Sequence, residues 1–399
     1  MKLVFFSPLN PQRSGISDYS EALLPLLARE ADIDLVLDEG ITPTTAAIVE
    51  NFTCYPASQF PQRHQQSPYD LCLYQMGNNT ACHRYMDPFL QRYPGIVVLH
   101  DYVLHHFYAE LFAEEGRYDE YQQAMHAYYG ELGTWIAGKL RRGIRSDYVY
   151  YQLPFYQRVV NPSLGTIVHD TYVKAKLLRY NPKYQVAMIP MGIELPDLRA
   201  YDLKALREKH QIPHHSFTIA SFGFIIQGKR IRELLRAFAA FTQDVPDALC
   251  LLVGKEVPSF DVRQLIQELQ IEEHVRITGY APYEEFLEYI ALSDVCVNLR
   301  YPTVRATSAN ILKIMAFAKP AVVSDVCEFL DLPDTCCLKI PLNETEEERL
   351  LQAFQRLHAD PDYRKTVGAQ AREFISTRHT LQQAADKYLA FCQRILQAR

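Results

Sequence analysis

Short apolar runs separated by longer stretches with helical spacing dominate the first hundred residues. Leu3–Ser7, Ile33–Leu37, Leu71–Gln75 and Ile96–Leu99 are nearly continuous in apolar character, as strands buried on both faces of a parallel sheet must be. Each lies near a helical pattern, so the predicted arrangement is alternating α/β. Residues 103–160 turn helical and tyrosine-rich, after which Gly165–His169 and Ala187–Pro190 return to strand. Residues 192–216 are charged and broken by Pro196 and Pro213, which reads as an interdomain linker. A second series follows: strand Thr218–Phe222, helix 230–243, strand Ala248–Val253, helix 261–270, strand Val275–Thr278 and helix 283–291. It continues with strand Val295–Leu299, helix 309–317 and strand Ala321–Ser324, and residues 345–399 are helical to the end.

The pattern predicts an α/β chain of two Rossmann-like, doubly wound domains, with a ligand cleft between the carboxyl ends of their strands. A length of 399 residues accommodates two cores. Lysine plus arginine number 41 against 47 acidic residues, a net −6 without clustering, which argues against nucleic acid as main partner. The nine cysteines include no Cys-x-x-Cys pair and fit a reduced, cytoplasmic compartment better than a disulfide framework or a zinc site. No run reaches the length of a membrane span. Met1–Phe6 resembles the start of a signal peptide, but Pro8, Pro11 and Gly15 cut its apolar stretch short, and a first strand is the better reading. The sequons at Asn51, Asn78 and Asn343 then carry no meaning. The 26 tyrosines and 20 phenylalanines suit core, partner surface or sugar stacking alike.

Three segments carry candidate chemistry besides the turn before helix 309–317. The first is Ser7–Ser20, where Gly15 lets backbone approach a ligand and Ser14 or Ser17 can cap the first helix. It is neither a dinucleotide fingerprint nor a P-loop. In the second, His100 and Asp101 directly follow the fourth strand, at the edge where α/β sheets place ligands. His100 is the catalytic candidate of this half, and Asp101 can orient it or bind substrate. His105 and His106 read as helix packing or surface, and adjacent histidines on one helix point apart, against a metal. The third is Ser221–Phe238, where the strand stops at Gly223 and the cations Lys229 and Arg230 open the next helix. Two cations there oppose the helix dipole and call for an anion such as a diphosphate. Finally, Thr307 and Ser308 cap a helix start whose free N–H groups also suit a phosphate.

Together these segments resemble the retaining glycosyltransferases of family four, the glycosyl transferases group 1, which have the GT-B fold. The similarity includes Ser-Gly-Ile-Ser-Asp-Tyr-Ser at 14–20, Tyr-Gln-Met-Gly-Asn-Asn at 74–79, Val-Val-Leu-His-Asp at 97–101 and Ile-Val-His-Asp-Thr-Tyr-Val at 167–173. It continues through the Lys229–Arg230 loop to the block from Arg300 that closes with Lys-Pro-Ala-Val-Val-Ser-Asp. The resemblance implies an acceptor-side domain over 1–198, a nucleotide-sugar domain over 199–379 and a final helix, 380–399, packing back on the first. It implies a UDP- or GDP-sugar donor, no metal or cofactor, and transfer with retained configuration. Gly15, Gly223, Lys229, Arg230, Thr307 and Ser308 would hold the donor diphosphate, Lys229 with a catalytic share. His100 would contact the transferred sugar near its reacting carbon, and Asp101 and Asn78 would contact sugar or acceptor. The acceptor itself (glycan, lipid or small molecule) is open, and so are peripheral membrane contact and homo-oligomerisation.

Departures from the family pattern fall in the last motif and at two earlier positions. Its two glutamates, with seven residues between them, are replaced by Arg305 and Lys313, with Ala306 at the alternative first position. Cations in place of carboxylates turn hydrogen-bond acceptors into donors. Phe224 stands where an arginine is common, and Met191 where a histidine is expected. Two further readings therefore stay open: a GT-B-like protein without transfer activity that serves as a binding or partner subunit, supported by the tyrosine-rich segment 108–160, and a nucleotide-sugar epimerase.

Overall fold

The computed structural model describes residues 1–399, with the side chain of residue 147 left aside. It contains two compact units, one made of Met1–Ile193, Val304–Thr307 and Leu381–Arg399, the other of Glu194–Thr303 and Ser308–Thr380.

Unit 1 is built on seven parallel strands: β1 (Lys2–Phe6), β2 (Asp32–Leu37), β3 (Thr53–Pro56), β4 (Leu71–Met76), β5 (Ile96–Leu99), β6 (Gly165–Val168) and β7 (Val186–Met188). Their spatial order is β3-β2-β1-β4-β5-β6-β7, so the winding reverses between β1 and β4. The apolar N-terminal run is thus an inner strand, and β4 is buried at every position, the polar Gln75 included. The core continues from the sheet into the helical segment after β5. Phe6 stacks on Tyr74 at 4.5 Å, and Tyr108, Phe112 and Tyr121 on the helices beyond, with Phe155 in the loop that follows, are fully buried. Most of the tyrosine-rich stretch is therefore interior, its aromatic rings supplying the apolar face that the sheet needs covered. The exception is the stretch from Leu132 to Tyr148, where four large apolar side chains stay exposed.

Unit 2 has six parallel strands: β8 (Thr218–Phe222), β9 (Leu249–Val253), β10 (Val275–Ile277), β11 (Val295–Asn298), β12 (Ala321–Ser324) and β13 (Cys337–Ile340). The order β10-β9-β8-β11-β12-β13 places the reversal between β8 and β11. The helix Ile231–Asp244 buries Ile231, Leu234, Leu235, Phe238 and Phe241, the i, i+3, i+4, i+7 face of an amphipathic helix. The strands β3 and β13 have no counterpart among the sequence expectations. Both are four-residue edge strands whose polar or proline content hides the apolar signal. The stretch expected as a linker is partly ordered as well. The helix Leu203–Lys209 lies in it, capped by Asp202, and Lys209 pairs with Glu288 at 2.7 Å.

The last helix, Leu381–Gln397, belongs to unit 1 and packs on the first, Gly15–Leu27. Its Tyr388 is fully buried and sits 3.4 Å, hydroxyl to hydroxyl, from Tyr19. Removing that ring leaves a cavity against Gly15–Leu27, so Tyr388→Ala should cost about 3–5 kcal/mol in urea unfolding. Tyr388→Phe should cost only about 1 kcal/mol, since it loses one long hydrogen bond and no volume. Equal losses in the two variants would show that the ring is not the packing element.

Candidate functional site

In doubly wound sheets, ligands bind beyond the carboxyl ends of the strands where the winding reverses. The reversal in unit 1 brings the loops after β1 and β4 together, and that in unit 2 the loops after β8 and β11. Most of the candidate residues stand on these four loops or on the neighbouring ends of β5 and β6.

In unit 1, Ser14 caps the first helix, its Oγ accepting from the Ile16 N–H at 3.1 Å. Ser17 instead donates to the Gln12 carbonyl at 2.8 Å. Gly15 is the first helical residue, and a Cβ there would meet open space. Opposite, the loop after β4 is drawn tight. A Cβ on Gly77 would lie 2.5 Å from Ile16 Cδ1, 3.0 Å from His83 Nε2 and 3.2 Å from Asp101 Oδ2. The Asn78 N–H donates to Asp101 Oδ2 at 2.7 Å, and Asn78 Oδ1 accepts from the Phe107 N–H at 3.0 Å, in the first turn of the helix His105–Glu114. Asp101 and Asn78 therefore shape the loop itself, and the Asn78 oxygen is taken by the helix start.

His100 is buried, with its Nε2 2.7 Å from Gln75 Oε1. With the amide oxygen as acceptor, the proton rests on Nε2 and Nδ1 keeps a lone pair, which is buried and has no hydrogen-bond partner. The ring is 4.9 Å from that of His169, and Tyr19 stands edge-on to both at 5.7 and 5.8 Å. Burial, reinforced by His169 and His83, holds His100 well below the ordinary histidine pKa. The ring is therefore a neutral, enclosed group. His83 and His169 were not among the candidates. The signal for His169 was present in the sequence, since Val168-His169-Asp170 repeats Leu99-His100-Asp101 one strand later. His83 had no such signal; only the folding of the Gly77 loop brings it in. His105 is packed as expected, between the Leu153 carbonyl and the Tyr121 hydroxyl, each at 2.6 Å. A cavity of about 660 Å³ in this unit lies away from these groups, beside Asp87 and Arg158.

In unit 2, β8 ends at Gly223, whose φ of +95° suits a residue without a side chain. The Lys229 ammonium folds under this turn and donates to the Phe222 carbonyl, so close that a Cβ on Gly223 would be 2.4 Å from Nζ. Lys229 is partly buried. Desolvation, with repulsion from Arg300, pushes its ammonium down to about 7. Across the reversal, Ser308 caps the helix Ala309–Ala316: its Oγ accepts from the Ile311 N–H at 3.4 Å and from Asn298 Nδ2 at 3.0 Å. Asn310 Nδ2 reaches the Phe222 carbonyl at 3.4 Å, tying this helix start to the Lys229 turn.

Other candidates are placed differently from expectation. Arg230 takes a left-handed backbone, φ 55°, and its guanidinium pairs with buried Glu346 and, at 3.0 Å, with Glu233. Those carboxylates, rather than an anion, answer its charge at the helix start. Thr307 groups with unit 1 and is not the cap. The two cations in the carboxylate positions lie against aromatic faces. Arg305 is 5.4 Å from the ring of Tyr102 and 5.7 Å from that of Tyr172, and Lys313 Nζ is 4.5 Å from that of Tyr283. Met191 is buried, and Phe224 is exposed.

The buried histidines make unit 1 acid-sensitive. Burial lowers His83 from 6.5 to about 4, so the folded state resists a proton that the unfolded chain accepts. Stability is then unaffected above pH 6.5 and declines as pH falls from 6.5 to 4, by about 3 kcal/mol from this residue. A His83→Gln variant should lose correspondingly less stability over that range in urea titrations at a series of pH values. An unchanged slope would remove His83 as the source.

Comparisons with known proteins bear on the family and the fold. Residues 202–374 match the model of the family described as glycosyl transferases group 1. An alpha-monoglucosyldiacylglycerol synthase from Streptococcus pneumoniae is 31% identical over 189 residues, 41% of this chain and 42% of that protein. An alpha-D-kanosaminyltransferase from Streptomyces kanamyceticus is 24% identical over 48% of each chain. The chain thus spans less than half the length of these relatives. Among solved structures, a sucrose-phosphate synthase from Thermosynechococcus elongatus superposes with a TM-score of 0.70 at 17% identity over the whole of both chains. The Anabaena protein HepE, solved with UDP-glucose, gives 0.66 at 14% identity, covering 100% of this chain and 99% of that one. The fold is GT-B, and residues 202–374 are similar to the glycosyl transferases group 1 family.

Proposed function

We propose that the protein is a metal-independent glycosyltransferase that moves a sugar from a nucleotide diphosphate sugar to an acceptor with retained configuration. The observation that carries this reading is Lys229, a desolvated ammonium at the reversal of the unit 2 sheet, beside the Ser308-capped helix start. A diphosphate supplies the negative charge that this pairing of a cation with free helix N–H groups favours, and the same contacts strengthen as charge builds on the leaving phosphate. In transfer, the bond from the anomeric carbon to the diphosphate breaks, the acceptor oxygen bonds to that carbon on the same face, and the departing phosphate takes the acceptor proton. His100 is assigned to the transferred sugar. HepE, solved with UDP-glucose, makes UDP the first nucleotide to test. The synthase relative, named for a glucosylated diacylglycerol, makes a lipid one acceptor class to test.

The second reading is a binding protein without transfer. It is favoured by one observation: Arg305 and Lys313, in the family's carboxylate positions, rest on aromatic rings.

Lys229→Ala should abolish the thermal stabilisation by UDP and lower turnover by about 10²–10³-fold, while leaving the unliganded melting temperature unchanged or higher. A variant that still binds UDP and turns over would sink the diphosphate assignment. Binding without turnover in the unaltered protein would favour the second reading. His100→Ala should reduce kcat more than it raises donor KM, measured by initial rates.

The Lys229 charge also predicts proton coupling. An anion raises the pKa of the ammonium from about 7, so binding above pH 7 takes up a proton and weakens as pH rises. Titration calorimetry of UDP at pH 8 in buffers of different ionisation heat should report that uptake, and Lys229→Ala should lose it.

A further inference from the structure

We propose that the face of unit 1 around Trp135 docks on the surface of an anionic lipid bilayer. The helix Tyr118–Arg141 is broken at Gly130, whose φ of 60° and ψ of −142° are non-helical, and the part beyond the break is amphipathic in an unusual sense. Ile136, Ala137 and Leu140 face the core, yet the outward positions carry Leu132, 55% exposed, and Trp135, 58% exposed. Spacing of three and four residues puts Leu132, Trp135, Lys139 and Arg142 on one stripe. Ile144 and Tyr148, 54% and 67% exposed, continue the apolar surface past the helix end. An apolar groove of about 300 Å³, lined by Trp135, Ile136, Leu140, Ile144 and Val149, lies beneath.

The charge of this stretch runs against that of the chain. From Glu131 to Tyr148 the sequence has four cations, Lys139, Arg141, Arg142 and Arg145, against two carboxylates, in a protein of net charge −6. Arg141 pairs with Asp119 at 2.8 Å, and Lys139 Nζ lies 4.9 Å from the Trp135 ring. The mixture selects the occupant. Protein interfaces deplete lysine at their apolar centres. A membrane surface instead takes an indole at headgroup depth, lets lysine and arginine extend to lipid phosphates, and receives Leu and Ile side chains below them. Among the described residues no helix is long and apolar enough to cross a membrane, so this contact is peripheral. The proposal does not depend on the donor site.

Trp135 is the only tryptophan in the chain, so intrinsic fluorescence reads this face directly. The full-length protein would be titrated with phosphatidylcholine vesicles containing about 30% phosphatidylglycerol and with vesicles of phosphatidylcholine alone. The expected result is a blue shift and quenching by brominated lipid with the anionic vesicles, weakened by salt. The doubly substituted Arg142→Glu, Arg145→Glu protein should bind about tenfold more weakly or worse, with unchanged far-ultraviolet circular dichroism. No shift with anionic vesicles would overturn the proposal, as would equal binding to neutral ones. A shift that follows protein concentration without lipid would also overturn it, identifying the face as a contact between copies of this chain.

Discussion

Lys229 folded beneath the end of β8 is the interaction on which the reading of unit 2 depends. The ammonium hydrogen-bonds to a carbonyl that the Gly223 turn exposes, and its charge is opposed by desolvation and by Arg300. A cation held in this way is incomplete, because the fold supplies geometry but not the opposite charge. Arg230, one residue on, shows the contrast. Its charge is answered by Glu346 and Glu233, and it settles the start of its helix. Adjacent cations of the same motif thus stand in different surroundings, one closing an internal ion-pair network and the other held against a backbone carbonyl.

Both units solve the same topological problem. A doubly wound parallel sheet has one place where neighbouring strands send their chains to opposite faces, and the loops there keep backbone groups free of sheet and helix ladders. Close approach is then limited by side-chain bulk. Gly77 in unit 1 lies against Ile16, His83 and Asp101. In unit 2 a Cβ on Gly254 would sit 2.1 Å from the Gly223 carbonyl. His83 and His100 show the cost of enclosing polar rings this way: burial lowers the pKa of both, so what they offer is directional hydrogen bonding rather than charge.

Arg305 and Lys313 both rest on aromatic rings. Aromatic faces receive both cations, so neither is left as a buried, uncompensated charge. Arg305 also holds a left-handed backbone, φ 56°, a conformation that costs energy in a residue with a side chain. The neighbouring Ala306 bridges to Asp101, and the Val304 carbonyl accepts from the Val103 N–H at 3.0 Å, so this segment is fixed from both ends.

The apolar runs determined by themselves that the chain is a pair of α/β sheets, because a strand covered on both faces must be apolar at every position. They also determined where most strands fall and which loops follow them. Lys229 and Ser308 were legible for a local reason: a helix start exposes N–H groups whoever its neighbours are. What only the tertiary structure decided are the contacts between segments distant in sequence. His83 reaches the His100 cluster through a folded loop, Glu346 takes the charge of Arg230 across 116 residues, and aromatic rings receive Arg305 and Lys313. The sequence marks residue type and local spacing, but the direction in which a side chain points, and the charge it meets there, depend on packing that no local pattern encodes.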